Sequence, residues 1–440
     1  MIGTGISGLV VAHRLAGKHD LTVFEAGDRV GGHTHTHDFT VRAPDGREST
    51  HAVDSGFIVF NERTYPNFVA LLAELGVSFR DSDMSFSVRD DRDGLEYNGT
   101  NLSGLFSHRR NLFRPRFWGM LRDLLRFYRG SAAYLAPDQA GRTLGEVLAE
   151  GKFGRAFIEQ HLLPMGAAVW SSSPDDMQNF PAQTFARFFH NHGFLQLKDR
   201  PQWLTIEGGS RGYLGPLIAP FADSIRLSTP VVKVCPRVDG TVLVRTAAGE
   251  STSFDRVVLA CHSDTALRLL EAPTALESEI LGAIPYQENE ITIHTDPSIL
   301  PRARRAWSSW NVRIAAGDAS TGDEANHSIA PRLRATYWMN RLQGLEAPVD
   351  FFVTLNDGDG VDPARVLDRL TYHHPLFTPQ GIAAQERHAE IDGVRGVHFA
   401  GAYWGYGFHE DGVNSALRVL ERLELDPRSQ AERGRDEAAA

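Results

Sequence analysis

The chain has 440 residues, of which 42% are hydrophobic and 23% charged, so it can bury more than one core and is neither disordered nor fibrous. Its net charge of −10 argues against nucleic acid as the main partner. Two cysteines, Cys235 and Cys261, exclude a disulfide framework and a cysteine-rich zinc site. We expect a cytoplasmic protein, because the sequence contains neither a long apolar run nor a signal peptide.

Helices and strands are predicted from the hydrophobic periodicity. The first thirty residues predict a loop, a helix at 8–16 and a strand at 21–25. The later predicted elements are, in chain order, an amphipathic helix at 65–75, a largely helical segment at 100–200, a β-meander with a core strand at 226–261, strands at 285–296, 333–340 and 397–401, a helix at about 412–423 and a frayed tail at 426–440.

A glycine motif lies between the first predicted loop and the first helix. Gly3, Gly5 and Gly8 have the GxGxxG spacing, which allows a tight turn, close approach of the backbone to a pyrophosphate, and packing of a helix on a strand. Glu25 ends the next apolar strand, where a carboxylate can bind ribose hydroxyls. The pattern predicts a dinucleotide site in a doubly wound α/β domain, and the alternative is a glycine-rich turn without a ligand.

The strand that normally precedes such a motif is short in this sequence. Only Met1 and Ile2 stand before Gly3, whereas about five residues are typical of a strand. We therefore expect a truncated or misassigned start.

The residues that follow Glu25 resemble a flavin-binding signature. Ala26, Arg29, Gly31 and Gly32 complete the pattern GxGxxG…E-A-x-x-R-x-G-G, which resembles the FAD-dependent amine oxidase and phytoene desaturase superfamily. The resemblance implies a Rossmann-like FAD domain with a β-meander, an α+β substrate domain, and FAD rather than NAD as the cofactor. It further implies that the arginine contacts the pyrophosphate and that the glycine pair lets the backbone pass the flavin.

Further matches extend the resemblance to about residue 424. Asp54-Ser55-Gly56 resembles the segment beside the flavin, Gly208-Gly209 the mid-chain glycine pair, and the strand with Val232 the one whose backbone meets the adenine. The cofactor-binding residues implied by the resemblance are Gly3, Gly5, Ile6, Ser7, Gly8, Glu25, Ala26, Arg29, Gly31, Gly32, His33, Gly56, Phe57, Val232, Gly401, Asp411, Gly412 and Val413. The FAD domain is expected at 1–70, 200–268 and 384–425, and the substrate domain at 71–199 and 269–383.

The closing segment carries the candidate catalytic residues. Tyr406, Phe408 and His409 lie where the resemblance puts the flavin face, although aromatic clusters are also typical of a plain core. A helix that begins near Gly412 directs its positive end at the flavin, which would stabilise the reduced, anionic cofactor. Asp411 has two candidate roles, a contact at the flavin and the N-cap of that helix, and the two roles can coexist.

Histidines occur in three short groups. His33, His35 and His37 alternate along a predicted strand and could hold zinc, but the resemblance puts His33 beside the flavin, so we predict no metal. The other groups, His190 with His192 and His373 with His374, lack completing ligands, and surface or packing roles are expected for them.

Longer segments are similar to a narrower group. The segments HTHTHDF, VDSGFIVFNERTYPN, ATYWMNRLQ and FAGAYWGYGFHEDGVNSAL resemble bacterial FAD-binding proteins, which in turn resemble the flavin domain fused to plant cyclopropane fatty acid synthases. We therefore predict oxidation, desaturation or isomerisation of a hydrophobic, unsaturated acyl substrate, with hydride passing to flavin N5. The alternatives are an amine oxidase and a flavin-binding partner of a lipid-modifying enzyme.

Two departures from the family pattern argue against amines. Many amine oxidases resemble one another in a lysine beside flavin N5, but the corresponding strand at 290–294 has none, and no lysine follows Lys233. Phe408 stands where the family has a caging tyrosine.

The segment 109–129 combines seven arginines with one acid, Asp123, a local charge of +6. An apolar stripe is predicted along its helix at Phe117, Leu121, Leu124, Leu125 and Tyr128. Packing of that stripe in the core is one interpretation. The other is a basic, aromatic face that contacts the inner face of the membrane.

Overall fold

The computed structural model describes residues 1–139, 141–196, 200–316 and 334–425, so the predicted tail at 426–440 lies outside the described residues. The strands are β1 (Val23–Phe24), β2 (Thr36–Arg42), β3 (Glu48–Asp54), β4 (Phe79–Ser82), β5 (Phe86–Asp90), β6 (Leu95–Asn98), β7 (Trp203–Ile206), β8 (Ile225–Arg226), β9 (Val231–Pro236), β10 (Val242–Thr246), β11 (Ser251–Phe254), β12 (Val257–Leu259), β13 (Tyr286–His294), β14 (Trp310–Ile314), β15 (Arg334–Trp338), β16 (Phe352–Leu355), β17 (Val366–Pro375) and β18 (Val397–Phe399).

The α-helices, of which the fourth and the last are the longest, are given in chain order. They are α1 (Ile6–Leu15), α2 (Pro66–Glu74), α3 (Leu102–Leu105), α4 (Pro115–Gly130), α5 (Leu144–Glu150), α6 (Arg155–Phe157), α7 (Leu163–Trp170), α8 (Pro174–Asn179), α9 (Ala182–Asn191), α10 (Leu214–Ile218), α11 (Ser263–Leu269), α12 (Ala275–Gly282), α13 (Met339–Leu342), α14 (Pro379–Glu386), α15 (His388–Ile391) and α16 (His409–Leu425). Within the described ranges, no helix is both long and apolar enough to cross a bilayer.

A parallel sheet carries the glycine motif. β1 pairs with β8, β12 pairs with β18, and Ile2 bridges Phe24 on one side and Leu259 on the other. The short first segment therefore joins the two strand pairs, as the Ile2 N–H donates to Val258 O (2.9 Å) and the Ala260 N–H to Ile2 O (2.8 Å). The predicted meander is confirmed as the antiparallel sheet β11-β10-β9.

The second large sheet has seven strands in the order β17-β13-β16-β15-β14-β5-β6. Its neighbours are antiparallel except for β14 and β5, which run parallel. Apolar side chains from this sheet, such as Ile291 and Val353, share one core with aromatic residues of the helical segment, such as Phe127 and Phe185. A separate core surrounds α1, α2 and α16.

The last helix begins earlier than the sequence predicted. It starts at His409 rather than near Gly412, because the Asp411 carboxylate accepts a hydrogen bond from the Phe408 N–H (2.9 Å) and so satisfies a free donor one turn earlier. Asp411 is therefore in the first turn and not at the N-cap. Burial raises the pKa of its carboxyl to about 7.

Candidate active site

A cavity of about 610 Å³ lies where the parallel sheet faces the seven-stranded sheet. The N-terminal residues of α1 and α16 both line it, as do residues of β13, β16 and β17. Gly412 allows the two helices to approach, since a Cβ at this position would lie 2.7 Å from the Ile6 side chain. The free N–H groups of two helices therefore converge on one space, which favours an anionic ligand.

The N-terminus of α1 is open toward a ligand. Gly5 is its N-cap, and no side chain caps the helix. A Cβ at Gly5 would meet no atom within 4 Å, whereas a Cβ at Gly8 would collide with the Gly3 carbonyl oxygen. Glycine is therefore present at the two positions for different reasons. Gly8 is required for local packing, and Gly5 leaves room beside the cavity.

The carboxylate of Glu25 is held at the same end of the cavity. It accepts hydrogen bonds from the Thr4 N–H (3.0 Å) and the Gly27 N–H (2.9 Å). Arg29 does not line the cavity; its guanidinium donates to the carbonyls of Gly32 (2.8 Å) and Thr34 (3.0 Å). Arg29 thus braces the glycine-pair turn, and its contact with a pyrophosphate stays a prediction.

Buried Asp54 joins two of the segments that the sequence singled out. Its carboxylate accepts hydrogen bonds from the Ser210 N–H (2.9 Å) and from Gln343 Nε2 (2.8 Å). Burial raises the pKa of Asp54 to about 6. The segment beside Gly56 is thereby fixed to the residue that follows Gly209.

His409 is fixed by three neighbours. Its Nε2 lies 3.0 Å from Thr34 Oγ1 and 3.3 Å from Tyr213 Oη, and its ring stacks on Phe57 with centroids 3.6 Å apart. Burial lowers the pKa of His409 to about 3, so the ring is neutral. An imidazole nitrogen that is already engaged is poorly placed to take a proton from a ligand.

Glu410, the next residue, caps a different helix. Its carboxylate accepts hydrogen bonds from the backbone N–H groups of Asn67 (3.1 Å) and Phe68 (2.9 Å), in the first turn of α2. No side chain of its own caps α2. Glu410 therefore ties α16 to α2 and lies outside the cavity lining.

We expect Glu410→Ala to destabilise the protein by about 1–3 kcal/mol, because the buried Phe68 N–H and the partly buried Asn67 N–H lose their acceptor. Glu410→Gln keeps one acceptor oxygen and should cost less. Urea unfolding of the two variants measures the difference, with Glu421→Ala, an exposed position on the same helix, as the matched control. Equal stability of Glu410→Ala and the control would contradict the capping role.

A group of three imidazole rings, apart from that of His409, lines the cavity. The centroid of the His33 ring lies 5.8 Å from that of His262, 5.5 Å from that of His374 and 4.7 Å from that of Tyr372. Burial lowers the pKa of His374 to about 4 and that of His33 well below its ordinary value; it also lowers the pKa of His262. These rings are therefore neutral near pH 7. Among the described residues, no three His, Cys, Asp or Glu gather closely enough to hold a metal ion.

The remainder of the cavity is largely apolar, with a few hydroxyl side chains such as Tyr337 and Thr371. Its lining includes Trp170, Phe188, Ile291, Trp310, Leu355 and Phe377. Glu25 is the one Asp, Glu, Lys or Arg among the described lining residues. Two residues of β13, Tyr286 and Ile291, line the cavity, and Ile291 lies in the stretch 290–294 that lacks the expected lysine.

The structure brings most of the predicted site residues together. The following line the cavity: Gly3, Gly5, Ile6, Ser7, Glu25, Gly31, Gly32, His33, Gly56, Phe57, Gly401, Tyr406, Phe408 and His409. The following do not: Gly8, Ala26, Arg29, Val232, Asp411, Gly412 and Val413. Gly8 and Gly412 act through packing, and Val232 is exposed on β9, so its contact with an adenine stays a prediction.

Some lining residues were missed by the sequence prediction. His374 and its neighbour His373 were expected at the surface or in packing, but they reach the cavity because β17 pairs with β13 across nine residues. His262 arrives at the end of β12. The adjacent pair His373-His374 was the only local feature of the sequence that could have indicated these lining residues. By contrast, His192 packs as expected, stacked on Phe188 with centroids 3.8 Å apart.

The family of the chain follows from its sequence. The model of flavin-containing amine oxidoreductases matches residues 6–289. The chain belongs to this family. It is an oxidoreductase, and its cofactor is FAD. No curated protein matches the sequence.

Solved structures with the same fold include enzymes of different chemistry. Cyclohexylamine oxidase from Brevibacterium oxydans IH-35A has a TM-score of 0.65 at 17% identity, covering 96% of this chain and 98% of that one. The CLA-producing fatty acid isomerase from P. acnes has a TM-score of 0.64 at 15% identity, covering 96% and 97%. Putrescine oxidase bound to putrescine has a TM-score of 0.64 at 16% identity, covering 97% and 98%.

The residues present fit FAD. The uncapped N-terminus of α1, with open space at Gly5, suits a pyrophosphate, and the Glu25 carboxylate at the end of β1 suits ribose hydroxyls. The buried Nε2 atom of His33 has no hydrogen-bond partner in the described part of the chain. Such an atom next to the glycine pair is consistent with a partner supplied by the cofactor.

Proposed function

We propose that this flavoenzyme oxidises, desaturates or isomerises an uncharged, apolar substrate such as an unsaturated acyl chain. The proposal rests on the composition of the cavity lining. Apart from Glu25, which belongs to the predicted ribose end, the described lining has no carboxylate to pair with a cationic substrate such as an amine. Burying an unpaired ammonium there would be costly, whereas burying hydrocarbon is favourable.

The chain's own residues would orient the substrate and exclude water. When bound, FAD supplies the acceptor for two electrons and a proton. Apolar side chains such as Trp310 and Leu355 would hold the hydrocarbon, and the neutral rings of His262 and His374 are the titratable groups available to hold a proton beside it. His409, whose Nε2 is engaged, would instead position the start of α16.

The fatty acid isomerase among the structural neighbours supports an acyl substrate by analogy of fold. The likeness to the bacterial FAD-binding group related to the flavin domain of plant cyclopropane fatty acid synthases points the same way. The domain division at 1–70, 200–268 and 384–425 against 71–199 and 269–383 remains part of this proposal.

Two alternatives have their own support. The amine oxidases among the neighbours favour an amine substrate by the same analogy. A flavin-binding partner of a lipid-modifying enzyme is favoured by the likeness to the fused flavin domain. A stable complex with such an enzyme, with no turnover by the isolated protein, would favour the partner role.

A mass spectrum of the small molecules released from the purified, denatured holoprotein tests the proposal. Acyl-containing molecules should be released together with FAD, at a ratio to protein that falls when Leu355 is replaced by Asp. Release of a polyamine and no lipid would favour the amine alternative.

A further inference from the structure

Exposed apolar side chains are concentrated in one segment of the chain. Of the twelve large hydrophobic residues that are exposed in the described ranges, five lie between 102 and 125. They are Leu102 (73% exposed), Leu112 (44%), Phe113 (85%), Trp118 (49%) and Leu125 (38%). A cluster of this kind is unusual on a water-exposed surface and marks an interaction site.

The aromatic tip, which we define as Leu112, Phe113 and Trp118, is ordered by its own contacts. The Trp118 Nε1–H donates to the Leu112 carbonyl oxygen (3.0 Å), which ties the turn at Arg109–Phe113 to the first turns of α4. The Trp118 ring also packs against Phe106, with centroids 5.6 Å apart. The fold therefore presents these apolar groups to solvent in a fixed arrangement.

The tip is not an unfinished part of the core. The core-facing stripe of α4 consists of the buried residues Phe117, Met120 and Phe127, with Leu121, Leu124 and Tyr128 packed against the same core. The predicted stripe was wrong in one member, because Leu125 is exposed. The packing interpretation thus holds for the inner face of α4 and leaves its outer face unexplained.

Positive charge surrounds the tip. In the described ranges, the structure gives Arg109, Arg110 and Arg116 no carboxylate partner, and all three are exposed. Arg126 differs, since it lies 3.3 Å from Asp123 and 4.0 Å above the Phe153 ring centroid. The basic residues around the tip are therefore available to an anionic partner, although the whole chain has a net charge of −10.

We propose that the aromatic tip and its arginines dock on an anionic lipid surface. Exposed Phe and Trp suit the boundary between headgroups and acyl chains, and unpaired arginines suit anionic headgroups. The negative charge of the rest of the chain would keep other faces away from such a surface. Docking goes beyond the proposed function, because it does not depend on which substrate enters the cavity.

Sedimentation with lipid vesicles tests the proposal. The holoprotein should sediment with phosphatidylcholine vesicles that contain phosphatidylglycerol, much less with pure phosphatidylcholine, and less as salt increases. Arg110→Glu/Arg116→Glu should weaken partitioning by at least about 30-fold, and Phe113→Ser by about tenfold.

Two matched controls separate the tip from general charge and apolarity. Arg237→Glu/Arg245→Glu makes the same charge change at exposed arginines of the β9–β10 hairpin, and Val238→Ser removes a fully exposed apolar side chain. Both controls should partition like the wild type. The proposal is overturned if the wild type stays in the supernatant at low salt, or if the tip variants and their controls bind equally. FAD content and thermal unfolding of each variant show that the fold is intact, and neither depends on the substrate.

Discussion

Gly5→Ala is expected to fold like the wild type and to lose most of its affinity for FAD. Gly5 has φ −66° and ψ 172°, a conformation that alanine adopts readily, and its added Cβ would meet no protein atom within 4 Å. The same Cβ would occupy the space beside the N-terminus of α1, where the pyrophosphate is expected. Overpacking of this kind costs about 1–3 kcal/mol, or about 5- to 150-fold in affinity.

Titration of flavin-free protein with FAD, followed by the quenching of flavin fluorescence, measures this loss. Gly119→Ala is the matched control, because Gly119 is a helical glycine whose Cβ would also meet nothing within 4 Å. The control should bind FAD normally and be slightly more stable. If Gly5→Ala binds FAD as tightly as the control, the pyrophosphate does not lie at this helix.

Amines are expected to leave the bound flavin oxidised. The residues of β13 that line the cavity are Tyr286 and Ile291, neither of them a lysine. Phe408 also lines it, at the position where the resemblance implies a caging tyrosine. No acidic side chain among the described lining residues, other than Glu25, could pair with an ammonium group. An amine would therefore enter without a partner for its charge, at a cost of several kcal/mol.

Anaerobic mixing of the holoprotein with monoamines, diamines and polyamines, monitored by the absorbance of oxidised flavin, tests this expectation. Dithionite serves as the control, because it reduces the flavin without using the substrate cavity. Fast bleaching by any simple amine would favour the amine oxidase alternative over the acyl one.

The end of the cavity that carries the glycine motif could be predicted from the sequence because it depends on local spacing. Gly3, Gly5, Gly8 and Glu25 belong to one loop–helix–strand unit, so their chemistry is visible within 25 residues. The N-cap position was one of two roles that the sequence left open for Asp411, and its carboxylate instead accepts a hydrogen bond from the Phe408 N–H from within the first turn. Boundaries of helices depend on such side-chain contacts and are hard to read from a pattern.

The substrate end could not be predicted in the same way. His262 and His374 are 112 residues apart and meet in the cavity because β12 and β17 belong to sheets assembled from distant segments. The stripe on α4 shows a related limit. Leu125 and Phe127 are both apolar and lie two residues apart in the helix. Phe127 is buried because it packs against rings from other segments, such as Phe153 and Phe185, whereas Leu125 is exposed.

Anaerobic reduction of the bound flavin by fractionated cell extract is the most direct test of an apolar substrate. The holoprotein is mixed with a membrane-lipid fraction and, separately, with the water-soluble fraction that contains the amines. The account predicts that the lipid fraction yields an altered acyl product. Either the product is two hydrogens lighter and the oxidised flavin is bleached in equal amount, or its double bond is shifted and the flavin returns to the oxidised form. Bleaching by the water-soluble fraction alone, with no change in the lipid fraction, would contradict it.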